Sequence, residues 1–354
     1  MLRRCFLAAG TLALTMAMVV PASGAGPSHA IHLPADAAMH PKAATEWWYV
    51  VGHLADSSGH TYGFETSAIK ASGLRQYIPA SPIDTAYRAD VAITDETAGR
   101  FYGGMTYTAP LLGAGASTTR LNVNVGGISL RTAGSNDYAL TGRSTDGNVI
   151  ALTLTPARPV LMVGGGYIAW GNSGSYYYSY THVRAAGTIT LHGRRIAVHG
   201  IAWHDHQWGT WDPRTVGAWT WMGVQLDDGT DVALTVRQLG QHLDRGASAL
   251  LPDNTTANVE GTVIMPLGTW HSAATGLTYF SGWHVRIARL GLDLIVRPTI
   301  RNQELVDRLK IFGYSQSYWE GSCTVTGTHN GKPVNGRSYT ELVGVAPLKT
   351  GSTR

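Results

Sequence analysis

The chain has 354 residues, a formal net charge of +4 and only 14% charged residues. Its length suffices for two ordinary domains, since a single hydrophobic core usually stops growing at roughly 150 to 250 residues. The small net charge and the lack of a basic stripe exclude nucleic acid as the expected partner. The sequence has neither a phosphate-binding loop nor a G-x-S-x-G elbow, which argues against a nucleotide cofactor and against a serine hydrolase.

Residues 1–25 predict an export signal peptide. Arg3 and Arg4 precede an apolar run from Phe6 to Val20, and small residues follow at 23–25. The paired arginines fit either a twin-arginine signal or the general secretory route. No later apolar run approaches the roughly 20 residues of a membrane span. We therefore predict a secreted or periplasmic protein without a transmembrane segment, and the oligomeric state stays open.

Removal of this signal leaves a mature chain that begins near Gly26. The signal holds two of the 27 basic residues and none of the 23 acidic ones, so the mature net charge is +2. Cys5 leaves with the signal and Cys323 remains alone. No intramolecular disulfide can therefore stabilise the mature chain, and its stability must come from its core.

Short alternating runs through the mature chain predict antiparallel β-structure. Examples are ALTLTPARPVLMV at 151–163 and LDLIVRP at 292–298. Hairpin turns are indicated by Asp-Gly at 146–147 and 228–229 and by Asn-Gly at 330–331 and 335–336. One helix is predicted, over 302–312.

The chain contains two pairs of similar segments. The pattern V-x-G-x-x-[W/Y]-x-[D/E] occurs at 198–205 and again at 334–341, and an aromatic run enters an acidic turn at 47–56 and again at 219–229. Chance matching of hairpin-rich sequence is one explanation of these internal similarities. The simpler one is two similar β-domains, over 26–209 and 210–354, each closing as an up-and-down barrel.

The segment GIAWHDHQWGTW at 200–211 concentrates polar and aromatic chemistry. In an extended strand Trp203, Asp205 and Gln207 share one face, while His204 and His206 share the other. Burial of Asp205 against tryptophans would raise its pKa and make it a usable proton donor. The alternative is a structural Asp205 that accepts hydrogen bonds from indole or backbone N–H groups.

The segment Glu46-Trp47-Trp48-Tyr49 raises a similar question. Alternation places Glu46 with Trp48 on one face and Trp47 with Tyr49 on the other. Glu46 is either a second acid or base at the pocket or the partner of a buried arginine. The tyrosine run at 176–180, with Tyr178 at its centre, either lines a ligand cavity or fills the core.

Eight motifs together resemble the AttH-like family of lipocalin-related proteins, to which carotenoid hydratase and some cyclases are similar. They are E-W-W-Y at 46–49, P-A-R-P-V-L at 156–161, Y-Y-S at 177–179, A-W-H-D-H-Q-W-G at 202–209, W-x-S-x-x-T-G at 270–276, Q-E-L at 303–305, Y-W-E-G at 318–321 and E-L-V-G at 341–344. The resemblance implies two lipocalin-like antiparallel β-barrels packed together, with an apolar pocket near their junction. It also implies that Asp205 is the proton donor.

Our leading hypothesis is therefore a cofactor-independent enzyme that hydrates or cyclises an apolar, terpenoid or polyketide-like substrate. Asp205 supplies the proton, while Glu46, His206 and Tyr49 position water or substrate. Trp48, Trp203 and Trp221 form the aromatic wall, and Gln207 and Tyr178 contact the substrate.

Two alternatives come from other classes of protein. One is a non-catalytic carrier of a hydrophobic ligand. The other is a zinc-dependent hydrolase that uses the strand spacing of His204 and His206, although no third ligand can be ranked from the sequence. The leading hypothesis assigns no metal.

Overall fold

The structure is a computed structural model that describes residues 30–77, 79–170, 173–210, 216–239, 242–310 and 316–344. The predicted signal peptide lies outside these residues. Almost every element within them is an antiparallel strand, so the predicted all-β class is confirmed. The described part of the chain has no helix that is long and apolar enough to span a bilayer.

Twelve strands form the first sheet, which we call the first barrel. They pair in the order β4-β3-β2-β1-β12-β11-β9-β8-β7-β6-β5, with β10 beside β11. Strands β6 and β7 contact β3 and β2 across the interior, so the sheet is curled. The strands are β1 (Thr45–Ala55), β2 (Thr61–Ser72), β3 (Thr85–Asp95), β4 (Arg100–Thr108), β5 (Gly115–Ala116), β6 (Asn122–Val125), β7 (Ile128–Thr132), β8 (Tyr138–Arg143), β9 (Val149–Pro156), β10 (Leu161–Trp170), β11 (Ser173–Leu191) and β12 (Arg194–Thr210).

Ten strands form the second sheet, the second barrel. They pair in the order β16-β15-β14-β13-β24-β23-β21-β20-β17, with β22 beside β23, while β18 and β19 form a separate hairpin. The strands are β13 (Val216–Leu226), β14 (Asp231–Leu239), β15 (His242–Leu250), β16 (Thr256–Glu260), β17 (Val263–Pro266), β18 (Thr269–His271), β19 (Thr278–Phe280), β20 (Trp283–Ile287), β21 (Leu292–Pro298), β22 (Glu304–Leu305), β23 (Tyr318–His329) and β24 (Lys332–Val343). Short helical turns lie at Ala35–Ala37, Leu74–Tyr77, Pro110–Leu112 and Ala288–Leu290.

Each barrel has its own apolar interior. Trp48, Phe64 and Ile150 pack inside the first barrel, and Trp283 and Leu294 pack inside the second. A fully buried side chain of this kind contributes roughly 1.5 to 3 kcal/mol. The cores therefore stabilise the described part of the chain, in which the one cysteine, Cys323, is free. The architecture is that of two lipocalin-like barrels, as the resemblance implies.

The two barrels close in the same way. The first strand of each sheet pairs with the last, β1 with β12 and β13 with β24. In that register Tyr49 lies opposite Asp205, and Trp221 lies opposite Glu341. The repeated motif at 198–205 and 334–341 thus occupies equivalent places. The domain boundary predicted at 209–210 falls at the end of β12, next to residues outside the described part, and stays a prediction.

The outer faces of the closing strands pack against each other. Tyr49, Tyr177 and Trp203 of the first barrel and Trp221 and Tyr339 of the second form one buried cluster, the interface cluster. Gly223 permits this close approach, because a Cβ there would lie 2.6 Å from the Trp221 ring and 3.1 Å from the Trp203 ring. The junction between the barrels is therefore aromatic and tightly packed.

The helix predicted over 302–312 is wrong for the residues described there. Glu304 and Leu305 form strand β22, which pairs with β23, and 306–310 are irregular. The Glu304 carboxylate accepts hydrogen bonds from the hydroxyls of Ser272, Thr275 and Tyr279. These tertiary contacts outweigh the local helical pattern.

Candidate functional site

Strand β12 sends its alternate side chains to two different places, as the sequence predicts. Trp203 and Asp205 point out of the first barrel into the interface cluster, whereas His206 and Trp208 point into the first barrel. The register with β1 is regular throughout this segment, so no bulge interrupts the alternation. Asp205 and His206 are neighbours in sequence but serve opposite faces of the sheet.

Asp205 is buried and surrounded by hydrogen-bond donors. Its Oδ1 accepts from Ser179 Oγ and from Trp203 Nε1, each at 2.5 Å, and its Oδ2 accepts from the Tyr177 hydroxyl at 2.5 Å. Burial raises the pKa of Asp205 to about 7, against the lowering effect of these hydrogen bonds. A carboxyl with such a pKa can donate a proton near neutral pH.

Aromatic rings enclose this carboxyl from both barrels. The Trp221 ring lies edge-on to Trp203, with centroids 5.7 Å apart, and edge-on to Tyr49 at 5.3 Å. Trp221 Nε1 donates to the Tyr177 hydroxyl at 2.9 Å. Gln207 shares this face but donates to Ser175 Oγ at 2.6 Å. The site is thus built where the two barrels meet.

Four further carboxylates lie in the same junction, and the sequence does not single them out as site residues. Tyr49 donates to Glu320 at 2.8 Å, and Trp219 Nε1 donates to Glu341 at 2.9 Å. The Tyr318 hydroxyl lies 2.8 Å from both Glu65 and Asp90. The sequence holds one signal for two of them, because Glu320 and Glu341 belong to the Y-W-E-G and E-L-V-G motifs.

Few positive charges face these carboxylates within the described part of the chain. Arg88 pairs with Asp90 at 2.8 Å. Burial raises the pKa of Glu65 and of Glu320 well above the usual range, and neighbouring carboxylates raise both further. Burial likewise raises the pKa of Glu341 to about 7. The junction therefore holds several protonated or readily protonated acids.

Glu46 lies in a different environment, inside the first barrel. Its Oε1 contacts His206 Nε2 at 3.0 Å and His40 Nδ1 at 2.8 Å, and its Oε2 accepts from Lys70 Nζ at 3.0 Å. These partners lower the pKa of Glu46 to about 2, although burial alone would raise it. The partners of Glu46 are thus a buried lysine and two histidines. The alternative that paired Glu46 with a buried arginine is wrong.

Aromatic rings cover this cluster, which we call the Glu46 cluster (His40, Glu46, Lys70 and His206). Trp48 stacks on His206 with ring centroids 4.9 Å apart. The Tyr178 hydroxyl lies 3.3 Å from His206 Nδ1.

The structure thus separates the predicted site residues into two groups. Asp205, Tyr49, Trp203, Trp221 and Gln207 face the junction between the barrels. The other four, Glu46, His206, Trp48 and Tyr178, lie together on the opposite side of the sheet.

The Glu46 cluster also contains the donor atoms nearest to a metal-site geometry among the described residues. His40 Nδ1, Glu46 Oε1 and His206 Nε2 all lie within 4.8 Å of one another. However, a metal ion would have to replace the protons that the two imidazoles share with Oε1, and it would lie beside the buried Lys70 ammonium, which already neutralises the carboxylate. The donor set is satisfied as a hydrogen-bonded ion cluster and does not fit a resident metal.

His204, the other histidine of the zinc hypothesis, is not part of this group. Its Nδ1 lies 3.0 Å from the Tyr49 carbonyl oxygen, and its Nε2 is buried without a hydrogen-bond partner among the described residues. Burial lowers the pKa of His204 to about 4, so the ring is neutral at pH 7.

A separate cavity of about 730 Å³ opens between β4 and the second barrel. Met105 forms part of its wall, and Glu304, Asp307, Trp270 and His271 surround it. Met105 also packs with Tyr318, whose hydroxyl contacts the junction carboxylates. Met105 thus connects the cavity wall with Tyr318 of the junction.

Comparisons with known proteins agree with this architecture. An AttH protein from Nitrosomonas europaea has a TM-score of 0.78 at 24% identity, covering 92% of this chain and 100% of that chain. Kievitone hydratase from Nectria haematococca has a TM-score of 0.69 at 19% identity, covering 89% of this chain and 93% of that chain. No curated protein sequence matches the chain. The family model described as AttH-like matches residues 24–345, and the chain therefore belongs to the AttH-like family.

Proposed function

We propose that the protein is an enzyme that protonates a carbon–carbon double bond of an apolar substrate and so promotes hydration or cyclisation. One observation carries this proposal. The Asp205 carboxyl, with a pKa of about 7, is enclosed by indole and phenol groups where two barrels meet. An acid in such surroundings has the proton affinity and the apolar neighbours that alkene protonation requires.

The hydrogen bonds to Asp205 favour this chemistry. When the acid gives its proton to the double bond, negative charge develops on its two oxygens. Tyr177, Ser179 and Trp203 already point their donors at these oxygens. Donors arranged before the reaction stabilise the developing charge without reorganisation.

The aromatic groups act on the other product of the step, the carbocation. The faces of Trp203 and Trp221 attract positive charge, by about 0.5 to 2 kcal/mol for each favourable contact. A structural relative named as a hydratase supports the same class of reaction, although its 19% identity carries no substrate to this chain. We further propose that the protein is exported and that its substrate is a hydrophobic small molecule.

The first experiment tests Asp205 directly. The mature protein and its Asp205→Asn variant are incubated in oxygen-labelled water with kievitone and with a panel of acyclic terpenes and polyenes. We expect wild-type protein to place labelled oxygen in a product, and the Asn variant to lose this activity while keeping its fold. Glu304→Gln, which removes a hydroxyl-bonded carboxylate at the separate cavity, is the matched control.

The outcomes separate the enzyme from the carrier. Labelled product at the wild-type rate from Asp205→Asn would remove Asp205 from the mechanism. The protein purified from its native host is also extracted with organic solvent. An unmodified ligand in the extract, which the protein does not turn over when it is added back, would indicate a hydrophobic carrier instead.

A further inference from the structure

Asp205 and Glu341 are equivalent residues of the two barrels. Each ends a copy of the V-x-G-x-x-[W/Y]-x-[D/E] motif, on the last strand of its sheet. Each lies between one residue of the first strand and one residue of the preceding hairpin strand. For Asp205 these neighbours are Tyr49 and Ser179, and for Glu341 they are Trp221 and Glu320.

The first-strand neighbours Tyr49 and Trp221 each donate a hydrogen bond to the other barrel. Tyr49, the register partner of Asp205, donates to Glu320, the register partner of Glu341, at 2.8 Å. Trp221, the register partner of Glu341, donates to Tyr177, the hydroxyl that binds Asp205, at 2.9 Å. The Tyr49 and Trp221 rings meet edge to face between them. The two acids therefore belong to one connected arrangement of side chains from both barrels.

The two acids differ in access. Asp205 is 3% exposed, and all its hydrogen bonds come from fixed side chains. Glu341 is half-buried, and among the described residues its hydrogen bond comes from Trp219, itself half-buried. Glu320 is fully buried with one oxygen already bound to Tyr49. Of the junction acids, Glu341 is the one whose side chain is not fully buried.

We propose that Glu341 is the second catalytic group of the junction and accepts the proton of the water molecule that attacks the substrate cation. This inference rests on the proposed function of Asp205. It makes hydration, with an acid on the first barrel and a base on the second, the reaction that this geometry serves.

The step balances with water as the one co-reactant. The π electrons of the double bond form a C–H bond with the Asp205 proton, which leaves an Asp205 carboxylate and a carbocation. A water oxygen then forms the C–O bond while one of its protons passes to the Glu341 carboxylate. Glu341 then releases its proton to solvent and Asp205 takes up one from solvent, which restores the starting state.

Several charged groups, Asp205 among them, lie close enough to Glu341 to influence its pKa. The groups that influence Glu341 electrostatically are Asp205 on β12, Arg88 and Asp90 on β3, Glu65 on β2 and Glu320 on β23. Both Asp205 and Glu341 have a pKa of about 7, and the Asp205 charge raises that of Glu341. The two acids therefore interact electrostatically across the junction.

The electrostatic interaction between Asp205 and Glu341 is tested without any substrate. Carbon-13 NMR of protein labelled at the Asp and Glu carboxyls follows each titration in wild type, Asp205→Asn, Glu341→Gln and the control Glu304→Gln. We expect the pKa of Glu341 to fall in Asp205→Asn, because a neighbouring negative charge is lost, and to stay constant in Glu304→Gln. A Glu341 titration unaffected by Asp205→Asn would overturn the inference.

The catalytic role is tested by turnover of whichever probe accepts labelled oxygen. We expect Glu341→Gln to lose about 100-fold or more in kcat, the usual contribution of a general base, with KM little changed. The acidic limb of the pH profile of kcat should also disappear in Glu341→Gln. Formate should restore activity to Glu341→Ala, since that side chain is only half-buried, but should not restore Asp205→Ala, where the side chain is fully buried.

The two proposals fail differently. Wild-type kcat in Glu341→Gln, together with loss in Asp205→Asn, would overturn the inference and leave the proposed function standing. Wild-type kcat in Asp205→Asn would overturn the proposed function itself.

Discussion

Trp221 of the second barrel donates its indole N–H to the Tyr177 hydroxyl of the first at 2.9 Å, and Tyr177 donates in turn to Asp205. The protonation of Asp205 is therefore coupled to the contact between the barrels. Any change that moves Trp221 also changes the donor that stabilises the Asp205 carboxylate.

Tyr177→Phe should raise the pKa of Asp205 further above about 7, because one of the three hydrogen bonds that lower it is lost. Tyr178→Phe is the matched control, since Tyr178 is the next residue on β11 but faces the first-barrel interior. Carboxyl NMR titration measures both. Equal shifts in the two variants would show that the effect is not carried by the hydrogen bond.

The stability contribution of Asp205 should depend on pH with a defined sign. Its pKa in the folded protein, about 7, lies above the ordinary value of 3.8, so the folded state binds the proton more tightly. This contribution is complete below about pH 4 and is lost as the pH rises through about 7, with a magnitude on the order of 4 kcal/mol. Asp205→Asn lacks this titration.

Urea unfolding from pH 4 to 8 checks this expectation. The difference in unfolding free energy, wild type minus Asp205→Asn, should fall steadily across that window. A difference that is constant with pH would contradict the raised pKa.

Breaking the Glu46 cluster should strongly destabilise the first barrel. Lys70→Met leaves a fully buried Glu46 carboxylate without its ammonium partner. Loss of one partner of a buried ion pair costs about 3 to 5 kcal/mol, whereas Lys70→Met with Glu46→Gln should recover much of it. Chemical denaturation of the two single variants and the double variant measures the coupling. Additive single effects would show that the pair does not act as a unit.

Metal removal should leave the protein unchanged. The Lys70 ammonium and the two imidazoles already satisfy Glu46, so a chelator should not lower the melting temperature and added zinc should not raise it. Elemental analysis of the purified protein gives an independent measure. One zinc per chain, lost in His206→Ala, would support the zinc alternative.

Much of the fold can be predicted from strand alternation and turn dipeptides. Alternation also places Trp203 and Asp205 on one face of β12 and His206 on the other, because this segment is free of bulges. It cannot show which face meets the second barrel, since both faces carry aromatic and polar residues. For this reason the sequence groups Glu46 and His206 with Asp205, although both point into the first barrel.

The acidic junction is beyond reach of the sequence for a different reason. Glu65, Asp90, Glu320 and Glu341 come from four strands and both barrels, so no local pattern unites them. The repeated motif is the strongest clue, since it aligns Asp205 with Glu341 through residue types and spacing. That alignment acquires its chemical meaning from the strand register, which places the two residues at equivalent positions beside the same junction.

Tyr49 donates to Glu320 of the second barrel, and Trp221 donates to Tyr177 of the first. Neither half of the chain therefore carries the complete candidate site. A chain ending at Thr210 would keep Asp205, Tyr177 and Ser179 but would lose the indole that orients Tyr177, and it would expose its aromatic outer face to water. The second half alone would leave Glu320 without its phenol donor. The arrangement around Asp205 and Glu320 therefore depends on both barrels being packed together.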